Sequence, residues 1–523
     1  MILHQLASSA YFYWSTVKIK PILYQKLREK IYDRAHKVDL SCYDNPDYYN
    51  EFILSTTQAD QCVDRFYDDS YNFLRYITCL IVDFFYLSCN SIASIMVVVS
   101  CFLVKFLASK SYFKLVKEKK LEANLSERKR SYQHRVFYLQ EYAKELRLHK
   151  EINDLLMKDF EECNDELNRN NKKYGKKLFF YGFLKDYVSG YFLVYAMYLP
   201  ILLWLVVEKG QLSISSMVVL VNMVRYMSRK GNKLAELCPQ LAMNSVFIEK
   251  IRTFLSHQPE IKDGTKKVEG NMDTLSLQHV SFSYTPDGKE VLHDINMELK
   301  RGQKIALVGY NGAGKSTLTK LLMRLYDPNE GMILRNGEDI RNLKLEEYRS
   351  EIGAVFQDYK IYAASLRENV VMDHCTLDKQ ETYEVEKALY DARFTLTDQK
   401  LKYQIETPLT TEFEKDGANL SGGESQKVAI ARTLYRHNDL IIMDEPSSAL
   451  DPMSEYQLNV ALREIAADKT VVFISHRLST TRDADCIYMM EQGRIIEQGT
   501  HEELLRMNGK YSQMWYAQAG RYV

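Results

Sequence analysis

Cysteines at metal-binding spacing are missing from this chain. Its nine cysteines, Cys42, Cys62, Cys79, Cys89, Cys101, Cys163, Cys238, Cys375 and Cys486, include no C-x-x-C pair. That absence argues against a zinc ribbon or a dithiol redox motif. Scattered thiols, several of them inside apolar runs, read as free groups in core or lipid-facing positions. A charge excess is missing as well. Sixty-nine Lys+Arg balance 69 Asp+Glu, whereas a general nucleic-acid binder carries a basic surplus. No cleavable signal peptide is expected, because the first apolar stretch has neither a basic leader nor a small-residue cleavage site. Beyond about residue 230 long apolar runs are lacking too, and mixed patterning takes over.

What is present divides in two. A length of 523 residues predicts more than one domain. Four segments are apolar for long enough to be spans: 71–89, 91–109, 187–207 and, more weakly because Arg225 lies near its end, 212–226. The first two are joined by almost nothing, and so are the last two. Between the pairs runs a Lys-rich stretch, 110–177, which the positive-inside rule places in the cytoplasm. Its apolar residues recur at helical spacing with few breakers, so the spans are expected to continue as long helices with a turn at the tip. Asp83, Arg75 and Lys105 fall inside spans, where local pairing or snorkelling is favoured over a polar substrate path. Residues 1–14 would form about 21 Å of helix, short of a bilayer core of roughly 30 Å, and are expected to be the tail of a span whose beginning is absent. Residues 257–274 are polar with Gly and Pro, a candidate linker. Strand-like runs then alternate with helical ones, which predicts an α/β domain with a largely parallel sheet. The expected architecture is therefore a membrane all-α bundle over 1–256, a linker over 257–274 and an α/β P-loop domain over 275–523.

Three constellations carry chemistry. The run KIALVG leads into Gly309-Tyr-Asn-Gly-Ala-Gly-Lys315-Ser316-Thr317 and then a helical stretch. This is G-x-x-x-x-G-K-[ST] in its strand–loop–helix setting. Gly309, Asn311, Gly312, Ala313 and Gly314 would wrap their backbone around phosphates, at a helix N-terminus that favours anions. Lys315 would reach the β/γ-phosphates, and Ser316 and Thr317 open the helix, with the Ser316 hydroxyl on Mg²⁺. Second, LIIMDE ends an apolar strand in two carboxylates. Asp444 is placed to hold Mg²⁺ and Glu445 to polarise the attacking water, the two requirements of phosphoanhydride hydrolysis. Third, Leu420-Ser421-Gly422-Gly423-Glu424 precedes a helical run. Alone it reads as an N-cap.

In the order P-loop, Gln357 in VFQD, LSGGE, LIIMDE, Ser448-Ala449-Leu450-Asp451 and His476 in FISHRLS, the chain resembles the nucleotide-binding domain of ATP-binding cassette (ABC) transporters. The resemblance covers about half the chain. It is similar in particular to exporters in which membrane and nucleotide domains share one polypeptide. The resemblance implies that Tyr284, in VSFSY, stacks on adenine, that Gln357 touches Mg²⁺ and water, and that His476 hydrogen-bonds the γ-phosphate. It implies that Ser421, Gly422 and Gly423 bind the γ-phosphate of ATP held by an opposite subunit, with Asp451 supporting that contact. Glu424 departs from the family's usual glutamine. The segments LSCYDNPDYYNEF and EYAKELRLHKE resemble the cytoplasmic loops that meet nucleotide domains, although the first spans of such exporters are expected to be missing. The implied function is ATP-driven export across the plasma membrane, with ATP and Mg²⁺, a second half-transporter, the lipid bilayer and an unread substrate as partners, and no nucleic acid. The alternatives are a truncated, regulatory ATPase subunit or an importer using the exporter fold.

Overall fold

The computed structural model describes residues 6 and 9–519 except 91, 286–287, 374–377, 397–399, 437, 446–459, 461–468 and 476–477. Its contacts form two units. One comprises Met1–His36 and Asp47–His257; the other comprises Lys37–Pro46 and Gln258–Val523.

The described residues of the first unit are helical apart from short connections. Its main helices are α1 (Lys20–Lys37), α2 (Pro46–Asn90), α3 (Ile92–Tyr138), α4 (Lys150–Phe183), α5 (Leu199–Val207) and α6 (Ile214–Ser256). The helices α2, α3 and α6 each hold an apolar and a polar segment in one continuous helix, α6 with Pro239 inside it. A π-helical stretch, Leu184–Tyr198, joins α4 to α5. Ser213 caps α6 by accepting from the Ser216 amide at 3.1 Å, as its position before an apolar run predicts. At the far end of α3 the chain turns through a short helix, Ala143–Leu148.

Apolar burial in this unit is thin. One cluster unites Leu87, Val98, Val194, Tyr198, Leu202 and Val224, among others, while Val82, Phe85, Phe106 and Trp204 stay more than half exposed. Among the described residues two helices are long and apolar enough to cross a membrane, Ser94–Tyr138 and Lys150–Val207. The segment 71–89 lies on α2, and 214–226 opens α6. Arg75 and Asp83 interrupt the first, and Arg225, Arg229 and Lys230 follow closely in the second. Asp83 and Lys105 find partners on α6. Lys230 pairs with Asp83 at 2.7 Å, and Lys105 donates to the Ser228 carbonyl at 2.7 Å.

The second unit is built on two sheets. A four-stranded antiparallel sheet has the order β2-β1-β4-β5, with β1 Thr274–Phe282, β2 Leu292–Lys300, β4 Glu330–Arg335 and β5 Glu338–Asp339. A six-stranded sheet has the order β10-β9-β3-β8-β7-β6, with β3 Lys304–Gly309, β6 Ile352–Val355, β7 Leu440–Asp444, β8 Thr470–Ile474, β9 Cys486–Glu491 and β10 Arg494–Gly499. All its pairings are parallel except the edge strand β10. Both faces of a parallel sheet are covered, so its strands read as continuous apolar runs. Period-two alternation then divides one run between two cores. Ala306, Val308, Ile441, Met443, Val471 and Phe473 enter one; Ile305, Leu307, Leu440, Ile442, Val472 and Ile474 enter the other. Each such side chain contributes about 1.5–3 kcal/mol on burial.

Residues 258–274 are bound into this unit by two buried arginines. Arg324 donates to the Lys262 carbonyl at 2.9 Å. Arg335 donates to the Glu269 and Gly270 carbonyls at 3.1 and 2.6 Å, while Glu351 neutralises it.

Candidate functional site: a phosphate loop beside two carboxylates

The strand β3 delivers the chain into a turn that only glycine can complete. Gly314 is the N-cap residue of helix α7 (Lys315–Leu322), with φ +99°, a conformation that L side chains avoid. A Cβ there would stand 2.7 Å from the Leu292 side chain. No side chain caps α7, so its first amides keep their hydrogen-bonding capacity and the helix dipole faces the loop. Lys315 bends back into the arc. Its ammonium donates to the carbonyls of Gly309 and Tyr310 at 2.7 and 3.1 Å. Burial pulls its pKa below the usual lysine range, and Asp444 and Glu445 oppose that shift.

Both carboxylates come from β7, two strands away through β8. Asp444 is in register with Ile474. Glu445 follows with φ +51°, an uncommon backbone for a non-glycine residue that clusters at functional sites. Its amide donates to the Ile474 carbonyl at 3.1 Å. Gln357, just past β6, donates from Nε2 to Glu445 Oε2 at 3.2 Å. From helix α8 (Gly422–Tyr435) the buried Gln426 approaches the Glu445 carbonyl at 3.4 Å. One pocket of about 640 Å³ gathers residues 311–317, Gln357, Asp444 and Glu445. Val291 and Ile474 also line it. Sequence reading missed both, because an apolar residue at a strand end carries no distinguishing signal.

Gly309 does not line that pocket, and its carbonyl accepts from the Lys315 ammonium. Tyr284 does not line it. The Tyr284 hydroxyl bonds Thr317 Oγ1 at 3.0 Å, and Tyr284, 39% exposed, has its ring edge-on to Phe282 and Tyr326 with the Lys320 ammonium nearby. Nor do Ser421, Gly422 and Gly423 line it. Ser421 caps α8 in a reciprocal box with Glu424: Ser421 Oγ accepts from the Glu424 amide at 3.3 Å, and the Ser421 amide donates to the Glu424 carboxylate at 2.6 Å. Lys400 completes the set with an ion pair to Glu424. Burial raises the Glu424 pKa, but the bonds from Lys400 and Ser421 outweigh it and hold the group at about 2. His476 and Asp451, with Ser448, Ala449 and Leu450, lie outside the described residues.

A strand that runs into a phosphate-sized loop beside the carboxylates of its second neighbour defines a P-loop nucleotide-binding domain. Residues 292–448 match the family model described as ABC transporter, a domain that carries ATP binding with it. The "Subtilin transport ATP-binding protein SpaT" of Bacillus subtilis is 38% identical over 273 residues, 52% of this chain and 44% of that protein. The "ATP-dependent lipid A-core flippase" of Vibrio parahaemolyticus is 38% identical over 263 residues, 50% of this chain and 44% of that protein. The chain thus spans about half the length of the curated relatives it matches. A solved structure described as a bacterial Atm1-family ABC exporter with ATP bound shares the fold with a TM-score of 0.76 at 23% identity, over 99% of this chain and 88% of that one.

Proposed function

We propose that this chain is a half-transporter that binds and hydrolyses ATP to drive export of a substrate across the plasma membrane. The carrying observation is the single pocket in which residues 311–317 face Gln357, Asp444 and Glu445. In this reading residues 1–256 are the transmembrane domain, 257–274 the connection and 275–523 the ATP-binding cassette. The exposed apolar side chains of the helical unit face lipid, and the cassette lies in the cytoplasm.

The donor set suits Mg²⁺. Ser316, Gln357 and Asp444 offer a hydroxyl, an amide oxygen and a carboxylate at one pocket. Among the described residues no cluster of three or more His, Cys, Asp or Glu forms a cage, and Mg²⁺ is commonly held by few protein groups together with substrate phosphates. When bound, it would supply charge neutralisation between phosphoryl oxygens. Lys315 releases the Gly309 and Tyr310 carbonyls to meet the phosphates, while the uncapped amides of α7 receive them. Glu445, steadied by Gln357, orients water toward the terminal phosphorus. Tyr284 stacks on adenine. His476 and Asp451 retain the roles that the resemblance gave them, on the γ-phosphate and at the subunit contact. Ser421, Gly422 and Gly423 stand apart from the pocket, which suits a head-to-tail pair of cassettes in which each signature turn closes the other subunit's ATP. Closure drives the helices only so far as ATP binds the closed state better.

Glu445→Gln tests the assignment. The amide keeps the shape but not the base, so ATP affinity should persist while phosphate release falls by at least about 100-fold. Unchanged release removes Glu445 from its role.

A further inference from the structure

Segment 37–46 belongs to the α/β unit, and it reaches the nucleotide site through two tyrosines. The segment contains the short helix Leu40–Asp44. Leu40 packs on the core of that unit. The Asp39 carboxylate accepts from the Glu260 amide and, at 3.4 Å, from the Ile261 amide. At the other end of the helix, the Tyr326 hydroxyl donates to Asp44 Oδ2 at 2.8 Å. Tyr326 is only 7% exposed, and burial followed by the Asp44 bond pushes its phenol pKa up, so it remains a donor at neutral pH. Its ring meets Tyr284 edge-on, with centroids 5.3 Å apart and planes at 90°. The Lys320 ammonium sits 5.3 Å from one ring and 5.7 Å from the other. Tyr284 in turn bonds Thr317 of the phosphate loop.

We propose that Tyr326 is a positioning residue that sets the Tyr284 ring for the nucleotide base and makes base occupancy felt at Asp44, and so in segment 37–46. The inference rests on the ATP-site reading above. Its physical content is a coupling between two places on one unit, and such a coupling is reciprocal. An edge-to-face pair holds its two rings at a defined angle. A base stacking on Tyr284 therefore restrains Tyr326, and a restrained Tyr326 keeps its hydroxyl on Asp44. In the other direction, an anchored Tyr326 limits the orientations of Tyr284 before the base arrives, which lowers the ordering cost of binding. Nothing in this chain of contacts needs the phosphates to move, so it is separate from the Gln357–Glu445 contact at the opposite end of the nucleotide.

The full chain in lipid nanodiscs, titrated with MgATP while amide exchange is followed at 40–44, tests this. In the wild-type protein ATP should slow exchange there by roughly three- to tenfold, a local stabilisation that exchange reads directly. Asp44→Ala removes the acceptor and leaves the ring pair, so the slowing should vanish and, by reciprocity, ATP affinity should fall by a comparable amount, roughly three- to tenfold at most. Tyr326→Phe should behave like Asp44→Ala, because it keeps the ring and loses the hydroxyl. Tyr326→Leu removes the edge-on partner and should weaken ATP binding by roughly two- to tenfold. ATP-dependent slowing that persists in both Asp44→Ala and Tyr326→Phe overturns the proposal, and so does wild-type affinity in Tyr326→Leu. Wild-type protein that binds no ATP overturns the site reading itself, and this inference with it.

Discussion

Two helices of the α/β unit begin on glycine-rich turns, and they are finished in opposite ways. α7 starts at Gly314, left-handed and without a side-chain cap. α8 starts at Ser421, whose hydroxyl and amide are both engaged by Glu424. The first end is left open to an anion. The second is already satisfied, and it carries a carboxylate that stays ionised down to about pH 2. The glycines differ accordingly. Gly314 is needed for its backbone angle and for the space beside Leu292. Gly422 and Gly423 sit in the first turn of α8, where helical backbone angles do not by themselves demand glycine.

The sharpest way to break this comparison is Gly314→Ala. An L side chain in the left-handed region costs about 1–2 kcal/mol, and the overlap with Leu292 adds to it. The loop must shift, so ATP affinity should fall at least about tenfold, read by nucleotide titration beside a thermal melt. Gly423→Ala should do the reverse to the fold. A helical glycine replaced by alanine raises stability by about 0.5–1 kcal/mol. If the signature turn closes a partner's ATP, turnover should nevertheless drop, whereas unchanged turnover would make that turn a plain helix start. The smallest effect is expected at Glu424. Its folded pKa lies below the usual carboxylate range, so it contributes stability that is fully present above that range and lost as pH falls toward about 2. Glu424→Gln should flatten that part of the melting profile by less than about 1 kcal/mol, because the Lys400 pair is partly exposed and screened.

The two units were not equally legible. In the α/β unit the apolar runs KIALVG, LIIMD and TVVFI predicted buried parallel strands, and they are that, because period-two burial on both faces leaves little else for such runs to do. In the helical unit the same kind of reading foresaw four spans, and two helices qualify among the described residues. Apolar length is a local property, but a charge inside it is tolerated or not according to its partners. Lys230 is 147 positions from Asp83, a pairing that no local window contains.

Local order along the chain determined the phosphate loop, the carboxylate pair and the capped serine, since each is a short motif whose backbone demands particular residues at fixed spacing. Only the tertiary structure decided which of them share a pocket. The parallel register of β3, β8 and β7 brings Asp444 and Glu445 to the loop, and it leaves Ser421 outside. Tyr326 could not be found from its neighbours in sequence. Its role comes from meeting Asp44, 282 positions away, and distances of that kind are set by how sheets and helices pack rather than by any short run of residues.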